Sequence, residues 1–533
     1  EDNIIIQTGI NPLIIQTGVD LLFREGDGLN VGHGTSVSLD GCVTAEGASF
    51  AAVNPATRWN GIRIDVYSGP CQFTGCLIQD AGPLALGGFY IRTLTNPVLL
   101  DDCDFVNIDN YAVWANENAM FQIQNCSFTT CRNTVSVYPN DMAKLKGGNH
   151  YNGNTDNRIH CQSGNISSST SWTAQGMAVF VLGNLTSFGT NTPETVIPYG
   201  TILEFNAGTS MAIGHSSSSS YRASLRAIGT TFRGAQSTPG YWTGLIFSAE
   251  TNPSLLSGCV VRDAGYNNAA AINIVTQTCT VTGSWIYNNQ ALGINLGNNS
   301  YASLSGNLIT LCGSYPLSLV ANAVRVLGEG NYFSSNGVDR IEVRANTIES
   351  SGVWRDPGVP YYFTGSVSIY SPSPFAHIKI MPGTEILLPS GAAINVGYSS
   401  SATYQGSLEA EGTLFTRASE SAVPAGIVFN SFCVDALCAF TNCSFSYLQN
   451  ASQNTAIYVN NSDPSFQGCL FTNNPGSGIL AANSARPTVN DCCFTNNGYY
   501  PIRTIASAFD VVSGVGNSFS GNNPDRILMS GGT

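Results

Sequence analysis

Lysine is nearly missing from this chain. Among 533 residues it occurs only at positions 144, 146 and 379, and charged residues of either sign make up 10% of the whole. With a formal net charge of −13 there is no basic face to follow a phosphate backbone, so no nucleic-acid partner is expected. No apolar run reaches the roughly 18 residues of a membrane span, so no membrane span is expected. Glu1 opens the chain without a basic stretch and apolar lead, and a signal peptide is therefore expected to be absent from it. The 16 cysteines include no CxxC pair followed by a second at zinc spacing, so no metal and no cofactor are expected. A sustained helical apolar rhythm is missing too, and with it the helical fold classes.

What the chain has is repetition. Gly32 recurs as Gly214 and Gly397, 182 and 183 residues on, and Phe50 recurs as Phe232 and Phe415 at the same steps. Ser38-Leu39-Asp40-Gly41, Ser224-Leu225-Arg226 and Ser407-Leu408-Glu409 sit between them. A unit this regular is made to stack on itself. A finer word returns inside each block every 23–27 residues: a small or polar residue, Cys or Asn, any residue, then an aromatic or aliphatic one. Its slot holds Cys76, Cys103, Cys126 and Asn149 in the first block. In the second it falls at Cys259, Gly283, Asn307 and Asn331, and in the third at Cys443, Cys469, Cys492 and Asn517.

Between these words lie short alternating runs such as Phe121-Gln122-Ile123-Gln124 and Ile457-Tyr458-Val459, broken by Asn, Gly, Ser and Asp. This is strand-and-turn chemistry. A leucine-rich repeat would need several Leu per unit and a helical return, and neither is present. One coil then holds about three short strands, each bonded to its counterpart one coil away at about 4.8 Å. The Cys/Asn slot becomes a core ladder of inward residues. Cys is small and apolar enough for it, and an inward Asn can bond the backbone of the next coil.

The stretches Asn125 to Cys131 and Asn442 to Phe445 resemble coils of the right-handed parallel β-helix superfamily, the pectate-lyase-like solenoids of secreted or cell-surface type. The resemblance covers nearly the whole chain. It implies an all-β fold: a single-stranded right-handed parallel β-helix of about 20 coils in three tandem blocks of about 183 residues, on the order of 100 Å long. The handedness comes from the resemblance alone. Residues 1–18 read as an N-terminal strand extension, followed by blocks at 19–192, 193–375 and 376–533 in one continuous solenoid. Plentiful Ser, Thr, Asn and Gly with few charges resembles secreted, extracellular or cell-surface solenoids. The cysteines are either reduced thiols packed as small core residues or disulfides between pairs five apart, such as Cys71/Cys76 and Cys433/Cys438.

The fold implies no single activity, because it carries lyases, hydrolases, adhesins and spacers. Gly32-His33-Gly34 and Asn154-Thr155-Asp156 look like pieces of the polygalacturonase signature, but they stand in the wrong order, and His33 has His215 and Tyr398 as counterparts. Asp101, Asp102 and Asp104 form the densest acidic cluster and read as a solvated turn rather than a Ca²⁺ site. Asp156-Asn157-Arg158, Asp339-Arg340 and Asp525-Arg526 close the three blocks, and a pair written three times reads as architecture, with a glycan or anion site as the alternative. Trp59 and Trp242 share a slot that holds Ala425 in the third block. That tolerance places the slot at the surface or in an interface, and at the surface the two rings are candidate glycan contacts. No complete catalytic constellation emerges, and the sequence leans against an enzyme.

The leading expectation concerns the ends. Asn3 to Gly9 and Leu13 to Gly18 are near-identical apolar strands, while the stretches Trp172 to Leu185 and Tyr361 to Ile380 that follow the first two blocks have no counterpart after the third. An extracellular structural protein is expected, assembling head to tail into filaments by β-strand addition. Its interface would join Ile4, Ile5, Ile6, Leu13, Ile14 and Ile15 of one copy to Arg526, Ile527 and Leu528 of the next, so that its partner is itself. Two alternatives stand beside it. The first strands could fold back as a cap, or the protein could be a carbohydrate-binding or polysaccharide-degrading β-helix, lyase or hydrolase, whose partner is a polysaccharide.

Overall fold

In the computed structural model the described residues are 3–7, 12–82, 87–275, 279–297, 300, 302–512 and 514–530. They form two compact units, residues 1–271 with 277–280 and residues 272–276 with 281–533. The division falls inside the second sequence block, so packing and repetition have different boundaries. Each unit is a right-handed parallel β-solenoid, and the two count about 20 turns between them. No helix among the described residues is long and apolar enough to cross a membrane.

In the first unit one long sheet carries the strands Leu29–Val31, Ile62–Ile64, Phe89–Ile91, Tyr111–Ala115, Asn133–Val137, Ile159–Cys161, Val179–Val181, Ile202–Phe205, Thr231–Gly234 and Val260–Arg262, hydrogen-bonded in that order. These strands are short because each is bounded by a turn, and alternation decides their faces. In Ile62–Ile64 the two isoleucines are buried and Arg63 between them points outward. The second unit builds an equivalent sheet from Ile272–Ile274, Ile294–Leu296, Leu317–Val320, Ile341–Arg344 and Tyr361–Phe363 onward.

The repeated word is a bend. Its first residue is left-handed every time: Gly75, Asp102, Asn125 and Gly148 in the first block, and Asn442, Gly468, Asp491 and Gly516 in the third, all have φ between 50° and 81°. Gly, Asn and Asp tolerate that conformation best. The next residue turns inward and satisfies backbone groups that the bend exposes. Cys103 Sγ donates to the carbonyls of Phe73 (3.3 Å) and Asp101 (3.4 Å). Asn149 does the same with stronger groups, its Oδ1 accepting from the Cys126 N–H at 3.0 Å and its Nδ2 donating to the Lys146 carbonyl at 2.8 Å. Cys76, Cys126, Cys259, Asn307, Cys443, Cys469 and Cys492 are buried in equivalent slots. Asn331 and Asn517 hydrogen-bond the preceding coil through Asn307 N–H (3.1 Å) and Cys492 N–H (2.9 Å). Two residues further on, the aromatic of the word stacks on its neighbours, as in Phe105–Phe128–Tyr151 at 5.0 and 5.1 Å.

Several expectations need correction. The slot placed at Gly283 is the bend itself, φ 57°, and Ser284 fills the column, its N–H bonded to Asn307 Oδ1 at 3.0 Å. All 16 cysteines are free thiols. Residues 1–18 are not a separate extension. Ile4–Ile6, Leu13–Ile15 and Asp20–Phe23 form the first coil and pair in parallel with Leu29–Val31, Val43–Glu46 and Ser49–Ala52. They therefore do not fold back as a cap. Residues 1, 2 and 8–11 of the expected extension lie outside the described residues.

Candidate ligand face

Trp59 and Trp242 are fully buried, which removes them as glycan contacts. Each ring stacks on an inward Phe, Trp59 on Phe23 at 4.3 Å and Trp242 on Phe205 at 4.1 Å. Each indole N–H donates to a carbonyl at 2.8 Å, of Gln79 and of Arg262. In the third block Leu388 and Ala425 stand in the places of Phe and Trp, so the slot varies as a packed pair rather than as a surface position.

The remaining candidates resolve as scaffold. His33 Nδ1 accepts from the N–H groups of Thr35 (3.1 Å) and Ser36 (3.0 Å), and His215 does the same for Ser217 and Ser218, so both rings hold a loop. Asp101 accepts from Gln124 and Asn125 on the next coil, while Asp102 and Asp104 are exposed. Asp80 and Asp109 both pair with Arg58. Among the described residues no three His, Cys, Asp or Glu side chains converge as a metal site. Asp339 and Asp525 cap tight turns by accepting from Asn336 N–H and Asn522 N–H. In the first block Asn157 performs that task for Asn154 N–H, and Asp156 instead accepts from the Arg158 N–H at 3.0 Å, closing its own turn.

The outer face of the long sheet in the first unit is different. Parallel pairing sets the outward residues of successive strands side by side: Arg63 beside Tyr90, Tyr90 beside Trp114, Trp114 beside Ser136, Ser136 beside His160, His160 beside Phe180, Phe180 beside Glu204, and Glu204 beside Arg233. At a strand spacing of about 4.8 Å this column runs about 34 Å. At one end Arg63 and Arg92 both bond a single oxygen of Asp65, at 3.1 and 2.7 Å, and both guanidinium carbons lie 5.9 Å from the Tyr90 ring. Two cations there share one carboxylate. Arg63 Nε, Arg92 Nε and Trp114 Nε1 have no acceptor among the described residues.

In the middle the groups are wired together. Tyr111 Oη lies 2.7 Å from His160 Nδ1, and His160 Nε2 lies 3.0 Å from Asp156 Oδ2. Asp156 also accepts from Arg158 Nε (2.9 Å) and Nη2 (2.7 Å). Arg158 lies 3.9 Å over the Phe180 ring and reaches Glu204 at 3.2 Å, and Glu204 in turn pairs with Arg233. Burial pushes the Asp156 carboxyl up, but the bonds from Arg158 and His160 outweigh it and hold the group well below the usual carboxylate range. Burial pushes the His160 imidazole down against the pull of Asp156, and burial followed by the Asp156 charge pushes the Tyr111 phenol up. At neutral pH the ring is therefore neutral beside an anionic Asp156. Its Nε2–H points at that carboxylate, which leaves Nδ1 to accept the Tyr111 proton.

Register shows that this face is not part of the repeat. The column Tyr90–Trp114–Ser136–His160 has the counterpart Asn273–Asn295–Ser318–Glu342 in the second block and Tyr458–Leu480–Arg503–Leu528 in the third. Arg63 corresponds to Ile246 and Val428. Sequence reasoning missed the column, although its signal was present in the alternation of the strands: the outward residue of each first-block strand is aromatic or charged far more often than in the other blocks.

The expected assembly residues lie elsewhere. Ile4, Ile5, Leu13 and Ile14 are 44–65% exposed in the first unit, Ile6 is half-buried, and Ile15 is buried. Ile4, Leu13, Ile14 and Ile15 line an apolar cavity of about 390 Å³. In the second unit, Leu528–Ser530 pairs with Ile502–Ile505, Arg526 is exposed, and Ile527 and Leu528 are half-buried.

Residues 411–532 match the family described as the right-handed β-helix region. The chain is similar to the PL6 family alginate lyase AlyGC at 11% identity, over 96% of this chain and 98% of that one, with a TM-score of 0.28. It is also similar to the Dettilon tailspike protein at 12% identity, over 82% of this chain and 60% of that one, with a TM-score of 0.13. No curated protein matches it.

Proposed function

We propose that the protein binds an acidic polysaccharide along the outer face of the long sheet in its first unit. The observation that carries this reading is the in-register column from Arg63 to Arg233. Its half-exposed members, Arg63, Tyr90, Trp114, Phe180 and Arg233, set rings and guanidinium groups along the face, between which Ser136, His160 and Glu204 are buried, on a chain that is otherwise acidic and poor in cations. Aromatic faces suit the apolar side of a sugar ring, and forked guanidinium groups suit a uronate carboxylate. Asp65 neutralises only one of the two charges of Arg63 and Arg92, which leaves room for an incoming anion.

Affinity electrophoresis tests it. Polygalacturonate, polymannuronate or polyguluronate in the gel is expected to retard the native chain, and a neutral glucan to leave it unaffected. Replacing both Arg63 and Arg92 by Ala is expected to weaken binding at least tenfold, a loss of about 1.4 kcal/mol. The reading fails if no polyuronate retards the protein, or if the double variant runs as the parent does.

A further inference from the structure

We infer that His160 is a proton switch, which gives the binding face a second station for an anion as the solution turns acidic. This rests on the acidic-polysaccharide reading and adds regulation to it. The first station is the end of the column where Arg63 and Arg92 share Asp65 and one positive charge is left over. The cluster around Asp156 is balanced differently. Arg158 and Arg233 bring two positive charges, Asp156 and Glu204 bring two negative ones, and the four are bonded in one chain. Beside a neutral His160 that cluster has no net charge to offer an anion. Protonation of His160 adds one, and the cluster then matches the Arg63 end. Arg63 and His160 are four strand steps apart, through Tyr90, Trp114 and Ser136, or about 19 Å at the usual strand spacing. The other blocks do not repeat the device, since Glu342 and Leu528 stand in the place of His160.

The hydrogen bonds show where the added charge goes. Asp156 Oδ2 is shared, with Arg158 Nη2 at 2.7 Å and His160 Nε2 at 3.0 Å. A cationic His160 takes over that carboxylate, and the guanidinium beside it then carries charge that Asp156 no longer cancels. The imidazole is 7% exposed and the Arg158 side chain 31%, so Arg158 is the group that an anion meets. His160 acts through it, as a positioning residue. On the other side of the ring the hydrogen bond survives with its direction reversed. Tyr111 Oη, 2.7 Å from Nδ1, donates to the neutral ring and accepts from the charged one. The titratable and charged groups facing the ring are thus Asp156 and Arg158, from the turn before its own strand, and Tyr111, from two strands away. Ser136 and Phe180, on the strands at either side, carry no charge.

Burial holds the imidazole below its ordinary value against the pull of Asp156, so the second station is closed at neutral pH. An anion beside Arg158 favours the charged ring, and by reciprocity the charged ring favours the anion. Affinity for a polyuronate therefore rises as pH falls below the ordinary histidine value of about 6.5, until near pH ~4 the carboxylates of the polymer themselves take up protons.

Affinity electrophoresis of the full chain in gels of polygalacturonate, polymannuronate and polyguluronate, run from pH 7.5 to pH 5, tests the switch. Native protein is expected to be retained by one of these polymers at pH 7.5, and about fivefold or more tightly at pH 5. His160→Gln is expected to keep the retention at pH 7.5 and to lose most of the gain. Asp156→Asn removes one negative charge from the cluster and is expected to hold the polymer at pH 7.5 as tightly as the native chain does at pH 5, a result that a folding defect does not mimic. Calorimetry at pH 6 in two buffers of different ionisation enthalpy is expected to show more protons taken up on binding by the native chain than by His160→Gln. Retention by the native chain that is flat with pH, equal gains in the native chain and His160→Gln, or no tightening in a folded Asp156→Asn overturns the switch and leaves the binding reading standing. Absence of retention on every polymer at every pH overturns both.

Discussion

Trp59 earns its place by being dry. Its ring lies flat on Phe23 at 4.3 Å and its only polar atom is bonded to the Gln79 carbonyl. Trp59→Ala is therefore expected to cost about 3–5 kcal/mol in denaturant unfolding, as large buried aromatics do, and to leave retention on polyuronates unchanged. A surface sugar platform would show the reverse pattern. The thiols follow the same logic. Burial pushes Cys71 up to about 12 and Cys131 and Cys312 up to about 11. At pH 8 a thiol reagent is expected to label native protein at most at the half-exposed Cys433 and Cys493, and all 16 cysteines only after unfolding. The His160–Asp156 pair sets an acid limit. Both groups have folded pKa values below their ordinary ones, so their stabilisation is present above the unfolded values, about 6.5 and 3.9, and is lost as pH falls through the lower folded ones. Acid unfolding of the native chain is expected to be steeper than that of a variant carrying Asp156→Asn and His160→Gln. Coincident acid curves would contradict it.

The element of this fold is the bend and its column, and its placement separates two kinds of glycine. Gly75 opens a bend with φ 62° and has nothing nearer than the Gly47 nitrogen at 3.9 Å, so Gly75→Ala meets only backbone strain of roughly 1–2 kcal/mol. Gly61, with counterparts Gly244 and Gly426, lies where the next coil passes, and a Cβ there would run into the Gly88 carbonyl. Gly61→Ala is expected to be distinctly more destabilising than Gly75→Ala in matched denaturant titrations. Equal losses would show that coil-to-coil approach is looser than described. These bends were legible in the sequence because Gly, Asp or Asn followed by Cys or Asn is a local signature that backbone sterics enforce. The Gly283–Ser284 slot was misplaced by one residue because Ser fills the column there, and a small hydroxyl carries little pattern of its own. Trp59 was misread because an inward slot that accepts both Trp and Ala looks like a surface slot until Phe23 and Leu388 are seen to change with it.

For the whole molecule, repetition revealed the architecture and departure from repetition revealed the face. Period and bend chemistry were sufficient to expect a parallel β-helix of about 20 turns. Which outward residues meet was not legible, because Arg63, Tyr90, Trp114, Ser136 and His160 are separated by one coil each in sequence and become neighbours only through strand register. Asp156 and Arg158 were visible but were grouped with the repeated Asp-Arg pair, whose acid is in fact matched by Asn157. The binding face is the central claim, and hydroxyl-radical footprinting of the full chain with and without polygalacturonate, polymannuronate or polyguluronate tests it most directly. Protection at Tyr90, Trp114 and Phe180, with Tyr362 and Tyr458 unchanged, is the result expected. Equal oxidation of the first three with and without each polymer, or protection confined to Tyr362 and Tyr458, would contradict it.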